Sequence, residues 1–230
     1  MDTWNIILWS QAPVLFIALW IYFKDKYEKE PWTLLISCYF MGIMSAVLAG
    51  FSNTFFFNVF EVKFGEDYLK LFLVAIFVVG LFEEGFKFLF LKKYIYKNEN
   101  FNEPFDGIIY GAFIGLGFAS IENFDYVSKG GKAVAIARMF TAVPMHASLG
   151  MILGYFLGNA KFPSSEKTNE ILTIIKGFCL VVILHGLYDY FLFIRTGNLL
   201  TYLTLVVLII CFILSRKAIK SHQNKSPFKP

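Results

Sequence analysis

The sequence has little charge and no long polar segment. Charged residues make up 17% of its 230 residues, hydrophobic residues make up 57%, and the mean hydropathy is +0.59. A typical soluble domain carries about 25% charged residues. No polar stretch is long enough to fold alone, which excludes a separate soluble domain. We therefore expect one integral-membrane domain over residues 1–220 and a basic cytoplasmic tail over 221–230.

Cysteine is also scarce. Cys38, Cys179 and Cys211 all lie in apolar stretches, without the spacing of a disulfide framework or of a zinc site. We interpret them as packing residues. The first apolar stretch has no Lys or Arg before it and ends in the bulky residues 20–23, without a small-residue cleavage site. We expect it to remain as a membrane anchor rather than to be removed as a signal peptide.

Several catalytic motifs are missing. There is no His-Glu-x-x-His, which argues against the usual zinc-protease helix. Ser120 and Ser148 lack a glycine-framed nucleophile motif, which argues against a serine protease. Tyr188-Asp189 resembles half of an intramembrane aspartyl site, but no Gly-x-Gly-Asp partner is present. No long internal repeat is visible, which weakens a transporter interpretation.

Apolar stretches long enough to cross a bilayer are abundant. A membrane-spanning helix needs about 20 predominantly apolar residues. The sequence predicts an all-α, polytopic transmembrane helix bundle with seven spans, or eight if Pro144 divides the fifth. The predicted spans are 4–23, 33–57, 69–91, 105–127, 133–158, 170–194 and 198–215.

The basic residues predict the orientation of this bundle. The alternate loops 24–32, 92–104 and 159–169, with the tail from Arg216, hold thirteen Lys or Arg, against four on the opposite side. Cytoplasmic loops carry the excess of Lys and Arg, so we expect the N-terminus outside and the C-terminus in the cytoplasm. The net charge of +4 says little about nucleic acid, and we expect no nucleic-acid partner. The basic tail suits the anionic inner leaflet of the bilayer.

Three charged residues lie close together in the third predicted span. Glu83 and Glu84 precede Lys87 by four and three residues, so all three lie within one helical turn. A charge at the bilayer centre costs roughly 2.5–3.5 kcal/mol on insertion scales. A self-neutralising ion pair explains one glutamate but leaves the other without a partner. A buried carboxyl without a partner is expected to exchange a proton near neutral pH, which is what a general acid or base must do.

Further polar residues lie in the later spans. They are Asp106, Glu122, Asn123, Arg138, His146, His185 and Asp189. Asp106 is expected at the cytoplasmic edge, where it could simply be the anion at a helix N-terminus. Two histidines near mid-depth, on neighbouring spans and beside a pair of glutamates, favour one shared functional site. His185, with Asp189 one turn later, has the spacing of an imidazole oriented by a carboxylate.

These residue types suit hydrolysis. A glutamate can take a proton from water, a histidine can orient that water or protonate the leaving amine, and Asn or Arg can stabilise an oxyanion. The sequence requires no cofactor. Glu83, Glu84, His146 and His185 could instead hold a divalent metal, and the sequence leaves the two forms of water activation open.

In combination these motifs resemble the PrsW family of bacterial membrane proteases, which cleave anti-sigma factors. The matching residues are 25–31 (Asp-Lys-Tyr-Glu-Lys-Glu-Pro), 83–87 (Glu-Glu-Gly-Phe-Lys), 105–111 (Phe-Asp-Gly-Ile-Ile-Tyr-Gly), Glu122-Asn123, His146, and His185 with Asp189. The glutamate pair and the separated histidines are also similar to the wider superfamily of CAAX prenyl endopeptidases and the Aph-1 scaffold.

The resemblance implies a multi-pass endopeptidase of the bacterial cell membrane. It would make the first, extracytoplasmic cut (site-1) in a single-span anti-sigma factor and so start the release of a sigma factor. Glu83, Glu84, His146 and His185 would be catalytic by this comparison. Lys87, Asp106, Glu122, Asn123, Arg138 and Asp189 would support them or bind substrate. Two other classes remain open, namely a proton-coupled transporter and a non-catalytic scaffold like Aph-1.

Overall fold

Every regular element in the described part of the chain is helical, which confirms the predicted all-α class. The computed structural model describes residues 1–165, 169–194 and 199–230. The α-helices are α1 (Thr3–Lys24), α2 (Trp32–Val59), α3 (Tyr68–Val74), α4 (Leu81–Phe90), α5 (Pro104–Phe140), α6 (Ala142–Lys161), α7 (Glu170–Phe193) and α8 (Leu199–Lys225). Two π-helical segments, Ala75–Gly80 and Leu91–Ile95, flank α4.

Five helical stretches of the described residues are long and apolar enough to cross a membrane. They are Thr3–Lys24, Trp32–Val59, Pro104–Lys161, Glu170–Phe193 and Tyr202–Lys225. The predicted span 69–91 is helical as well, but its π-helical segments divide it into short pieces. The count of seven spans and their orientation stay predictions. Lys167 and Arg195, which entered the charge count, lie outside the described residues.

The 58-residue stretch Pro104–Lys161 folds back on itself. A straight helix of that length would extend about 87 Å, nearly three times the hydrocarbon core. Gly131 interrupts it at the predicted loop 128–132, with a φ of 66°. A second break at Thr141 separates α5 from α6 and divides the predicted span 133–158. Pro144 explains this break, because its ring clashes with the carbonyl four residues earlier in a continuous helix.

The first half of α5 is the centre of the bundle. Every residue from Pro104 to Ser120 is buried, and α1, α2 and α6 pack around this segment. Gly111 and Gly150 face each other across α5 and α6, so that a Cβ on either would collide with the carbonyl of the other. Small residues at such seams let helix backbones approach closely in lipid. This close packing brings the second half of α5 and the start of α6 next to α4.

The C-terminal helix is longer than the sequence predicts. α8 continues to Lys225, so the predicted tail 221–230 begins inside the helix. His222 is fully buried and its ring stacks on Tyr155 at a centroid distance of 4.4 Å. Residues 221–225 are therefore part of the packed bundle.

Candidate active site

α4 carries the charged triplet into the centre of the bundle. Glu83, Glu84 and Lys87 are all buried on one face of this helix, at 4%, 0% and 1% exposure. Gly80, one turn earlier, lies directly against α7, where a Cβ would come within 2.7 Å of the Val182 carbonyl oxygen. The π-helical segments on both sides of α4 are a form that is common at functional sites.

Glu84 is fixed by two partners. Its Oε1 accepts hydrogen bonds from the Lys87 ammonium at 2.7 Å and from His185 Nδ1 at 2.7 Å. A carboxylate can only accept, so Nδ1 of His185 carries the hydrogen and Nε2 faces the opposite side. Asp189 lies at that opposite side, with Oδ2 3.4 Å from Nε2. Asp189 therefore lies beside His185, where the sequence placed it, and Glu84 is a second carboxylate that contacts the same ring.

Glu83 presents a free oxygen to the same histidine. Its Oε1 accepts a hydrogen bond from Asn53 Nδ2 at 3.0 Å. Its Oε2 has no hydrogen-bond partner and lies 3.5 Å from His185 Nε2. Asn53 was missed by the sequence analysis. An amide side chain inside the second apolar span, near its C-terminal end, was the signal that could have identified it.

His146 contacts one residue of α5, Glu122, and one residue of α4, Lys87. Its Nε2 lies 2.8 Å from Glu122 Oε2, and its Nδ1 lies 3.1 Å from the Lys87 ammonium. The Arg138 guanidinium donates to the same Glu122 oxygen at 2.7 Å and to Asn123 Oδ1 at 2.9 Å. These contacts leave Nδ1 as the acceptor nitrogen of His146.

Asn123 connects this group to the first helix. Its Nδ2 donates to the Ser10 carbonyl oxygen at 2.7 Å, and its side chain is fully buried. Asn123 and Glu122 therefore position His146 and Arg138. The side chains of Asn123 and Glu122 are thus already hydrogen-bonded within the protein, whether or not they also contact a substrate peptide.

The residues present fit a divalent metal. One donor atom from each of Glu83, His146 and His185 lies within 4.8 Å of the others, which is the donor set of a His₂Glu catalytic zinc site. Each histidine also contacts a carboxylate through one ring nitrogen: Nδ1 of His185 contacts Glu84, and Nε2 of His146 contacts Glu122. Such carboxylates are usual behind imidazoles that ligate a metal. The Lys87 ammonium would compete with a metal for Nδ1 of His146.

The charges of this cluster also favour a cation. Four carboxylates, on Glu83, Glu84, Glu122 and Asp189, face the two permanent cations Lys87 and Arg138. Buried charges need compensation by partners or by a metal. The side chains of Glu122, Arg138 and Asp189 are 24%, 13% and 15% exposed, whereas the rest of the cluster is more deeply buried. These three residues therefore form the least buried side of the cluster.

The structure brings together nine of the ten site residues that the sequence predicts. The exception is Asp106, which lies near the N-terminus of α5, sixteen positions before Glu122. At the rise of an α-helix this corresponds to about 24 Å. Asp106 instead accepts hydrogen bonds from the main-chain N–H groups of Asn102 and Glu103, each at 2.7 Å.

Comparisons with known proteins agree on one family. Residues 30–215 match the family described as PrsW family intramembrane metalloprotease. The chain is 34% identical over 198 residues to a protein named Protease PrsW from Clostridioides difficile, covering 83% of this chain and 80% of that one. It is 35% identical to a protein of the same name from Oceanobacillus iheyensis, covering 79% and 80%. The Bacillus subtilis protein of that name is 32% identical, covering 79% of each. No solved structure matches the chain.

Proposed function

The chain belongs to the PrsW family of intramembrane metalloproteases and is a multi-pass bacterial membrane peptidase, and we propose that the cluster around Glu83, His146 and His185 is its catalytic centre. The observation that carries this proposal is the convergence of these three side chains from α4, α6 and α7. Family membership favours a peptidase over the transporter and scaffold alternatives.

In this proposal Glu83, His146 and His185 would hold the metal of the family. When bound, the metal would polarise the scissile carbonyl and make a water more acidic. Glu84 orients His185 through Nδ1–H, and Glu122 orients His146 through Nε2–H. Both carboxylates raise the electron density of the imidazole that they contact, as carboxylates behind metal ligands do.

We assign Asp189 as the general base that accepts the proton of the attacking water. Its Oδ2 lies beside the same nitrogen of His185 that faces Glu83, and its side chain is partly exposed. A general base must reach its proton directly or through one water. Arg138 lies on the same exposed side, where its positive charge would stabilise the developing oxyanion.

The proposed substrate is a single-span anti-sigma factor, cut on the extracytoplasmic side. The resemblance of the motifs supports the substrate class. The predicted orientation puts the second half of α5 and the start of α6 toward the outside. The exposed side of the cluster, formed by Glu122, Arg138 and Asp189, belongs to that half.

The test combines cleavage with metal content. A tagged anti-sigma factor is co-expressed with the wild type, Glu83→Gln, His185→Ala or Asp189→Asn, and the cut fragment is quantified at equal membrane levels. Metal bound to the purified proteins is measured by elemental analysis. We expect Glu83→Gln and His185→Ala to lose both fragment and metal, and Asp189→Asn to lose the fragment but keep the metal. Glu66→Gln is the control, because Glu66 is exposed and far from the cluster in sequence.

Other outcomes would change the assignment. If Glu83→Gln keeps its metal but loses cleavage, Glu83 is the proton acceptor rather than a ligand. If all variants cleave like the wild type, the chemistry lies outside this cluster. Cleavage of other single-span proteins but never of an anti-sigma factor would contradict the proposed substrate and leave the catalytic centre intact.

A further inference from the structure

A second group of carboxylates lies at the opposite end of α5 from the candidate active site. Glu28 and Glu30 come from the loop between α1 and α2, and Asp106 comes from the first turn of α5. One oxygen from each lies within 4.8 Å of the others. Asp106 is separated from Glu122 by about 24 Å along the helix, so this group is distinct from the catalytic cluster.

The surrounding contacts hold these carboxylates in place without neutralising them. The Tyr110 hydroxyl contacts Glu30, and Asn102 Nδ2 donates to Glu28 Oε1 at 3.1 Å. Asp106 Oδ2 accepts from two main-chain N–H groups. All of these donors are neutral, so none of them supplies a compensating positive charge.

Two further carboxylates adjoin the group, and both are buried with an oxygen that lacks a partner. Asp25 and Glu103 are each 1% exposed. Asp25 Oδ2, Glu103 Oε2 and also Glu28 Oε2 are buried without a hydrogen-bond partner. The carboxylate of Asp25 is close enough to Glu28, Glu30 and Glu103 to interact electrostatically with each of them. A buried carboxylate oxygen without a partner is rare and costs several kcal/mol if the group is charged.

No lysine or arginine in the described ranges forms an ion pair with any of these five carboxylates. The nearby ammonium groups contact main-chain carbonyls instead. Lys29 donates to the Asp25 carbonyl oxygen, and Lys161 donates to the Tyr96 carbonyl oxygen at 2.8 Å. Burial raises the pKa of Asp25 to about 7, although the charge of the nearby Lys29 ammonium acts to lower it. Burial and the neighbouring Asp106 raise the pKa of Glu30 to about 10.

We propose that Glu28, Glu30 and Asp106 bind a divalent cation of the oxygen-preferring class, with the charges of Asp25 and Glu103 adding to its affinity. Mg²⁺ and Ca²⁺ are bound in proteins by carboxylate and carbonyl oxygens. Sulfur and imidazole ligands, which softer metals prefer, are absent from this group. The Asn100 carbonyl oxygen, 3.1 Å from the Tyr110 hydroxyl, lies at the edge of the same site.

The cation would link the loop between α1 and α2 to the N-terminal end of α5. Glu28 and Glu30 are separated from Asp106 by more than 70 residues, and the cation would connect them at the point where α1, α2 and α5 converge. A ligand that binds the folded state alone stabilises it in proportion to the logarithm of its concentration. The protein should therefore be more stable with the cation than without it, whether or not it cleaves a substrate.

The test is thermal unfolding of the full-length protein in detergent, after chelation and with increasing MgCl₂ or CaCl₂ at neutral pH. At roughly 100 times the dissociation constant we expect the wild-type Tm to rise by about 5–10 °C. Glu30→Gln and Glu28→Gln should lose this rise. Without cation they should melt at or above the wild-type Tm, because glutamine keeps the volume and the hydrogen-bonding capacity of the side chain and cannot carry the charge that burial penalises. Glu99→Gln, an exposed residue at the same end, should respond like the wild type.

A second measurement separates this site from the catalytic cluster. Mn²⁺ replaces the native cation as a paramagnetic probe, and bound Mn²⁺ is counted by EPR. Glu83→Gln should keep the Mn²⁺ of the loop site, whereas Glu30→Gln should lose it. The proposal is overturned if the Tm responds to neither Mg²⁺ nor Ca²⁺. It is also overturned if Glu30→Gln lowers Tm in the absence of cation, because the carboxyls would then stabilise the fold by sharing protons.

Discussion

Asn53 should matter for catalysis although it lies far from the charged residues in sequence. Its Nδ2 donates to Glu83 Oε1 at 3.0 Å. Among the described residues, this amide is the only hydrogen-bond partner of the Glu83 carboxylate. We expect Asn53→Ala to release Glu83 from its orientation while leaving the two histidines, His146 and His185, in place. A hydrogen bond to a charged group contributes about 1.5–3 kcal/mol. If the whole of it acts in the transition state, kcat/KM falls by about 10- to 150-fold.

The assay is the initial rate of substrate cleavage by purified protein at substrate concentrations well below KM, where the rate reports kcat/KM. Asn53→Asp should lose more than Asn53→Ala, because it puts a second carboxylate against Glu83 in a buried position. Thr54→Ala is the matched control. The Thr54 hydroxyl bonds only to its own helix, at the Gly50 carbonyl oxygen, and the side chain is exposed.

The reasoning would be refuted if Asn53→Ala cleaved at the wild-type rate with an unchanged Tm. Glu83 would then be held without its amide partner, and the proposed role of its free Oε2 would lose its structural basis. Equal loss in Thr54→Ala would instead show that any change in this part of α2 disturbs the site.

Three other predictions concern the site and its packing. Gly80→Ala should lower the free energy of unfolding by about 1–3 kcal/mol and slow cleavage, because the added Cβ would push α4 away from α7. Gly50→Ala, whose Cβ meets nothing within 4 Å, should change neither the thermal melt nor the cleavage rate. Arg138→Lys should reduce the initial cleavage rate by roughly tenfold, because an ammonium cannot reproduce both guanidinium hydrogen bonds; an unchanged rate would limit Arg138 to a charge effect. A strong chelator should abolish cleavage and added divalent metal should restore it, and cleavage by metal-free protein of verified composition would contradict the metal assignment.

The local features of this protein could be read from its sequence. Long apolar stretches predict transmembrane helices because a bilayer offers no hydrogen bonds to the backbone. The spacing of Glu83, Glu84 and Lys87 places them on one turn, since helical periodicity depends only on neighbouring residues. His146 and His185 were identifiable because polar side chains in such stretches are costly. These observations were sufficient for the helical class, for the family and for most members of the candidate site.

The partners of these residues were decided only by the tertiary structure. The sequence suggested Asp189 as a carboxylate beside His185, since the two are one turn apart, but it did not suggest that Glu84, 101 residues away, contacts Nδ1 of the same ring. Asn53 has no feature in its own helix that points to Glu83. Asp106 was predicted among the residues that support the site or bind substrate, and α5 carries it to the other end of the bundle. Contacts between helices depend on how their surfaces pack, and that packing brings together residues whose separation along the chain carries no periodic signal.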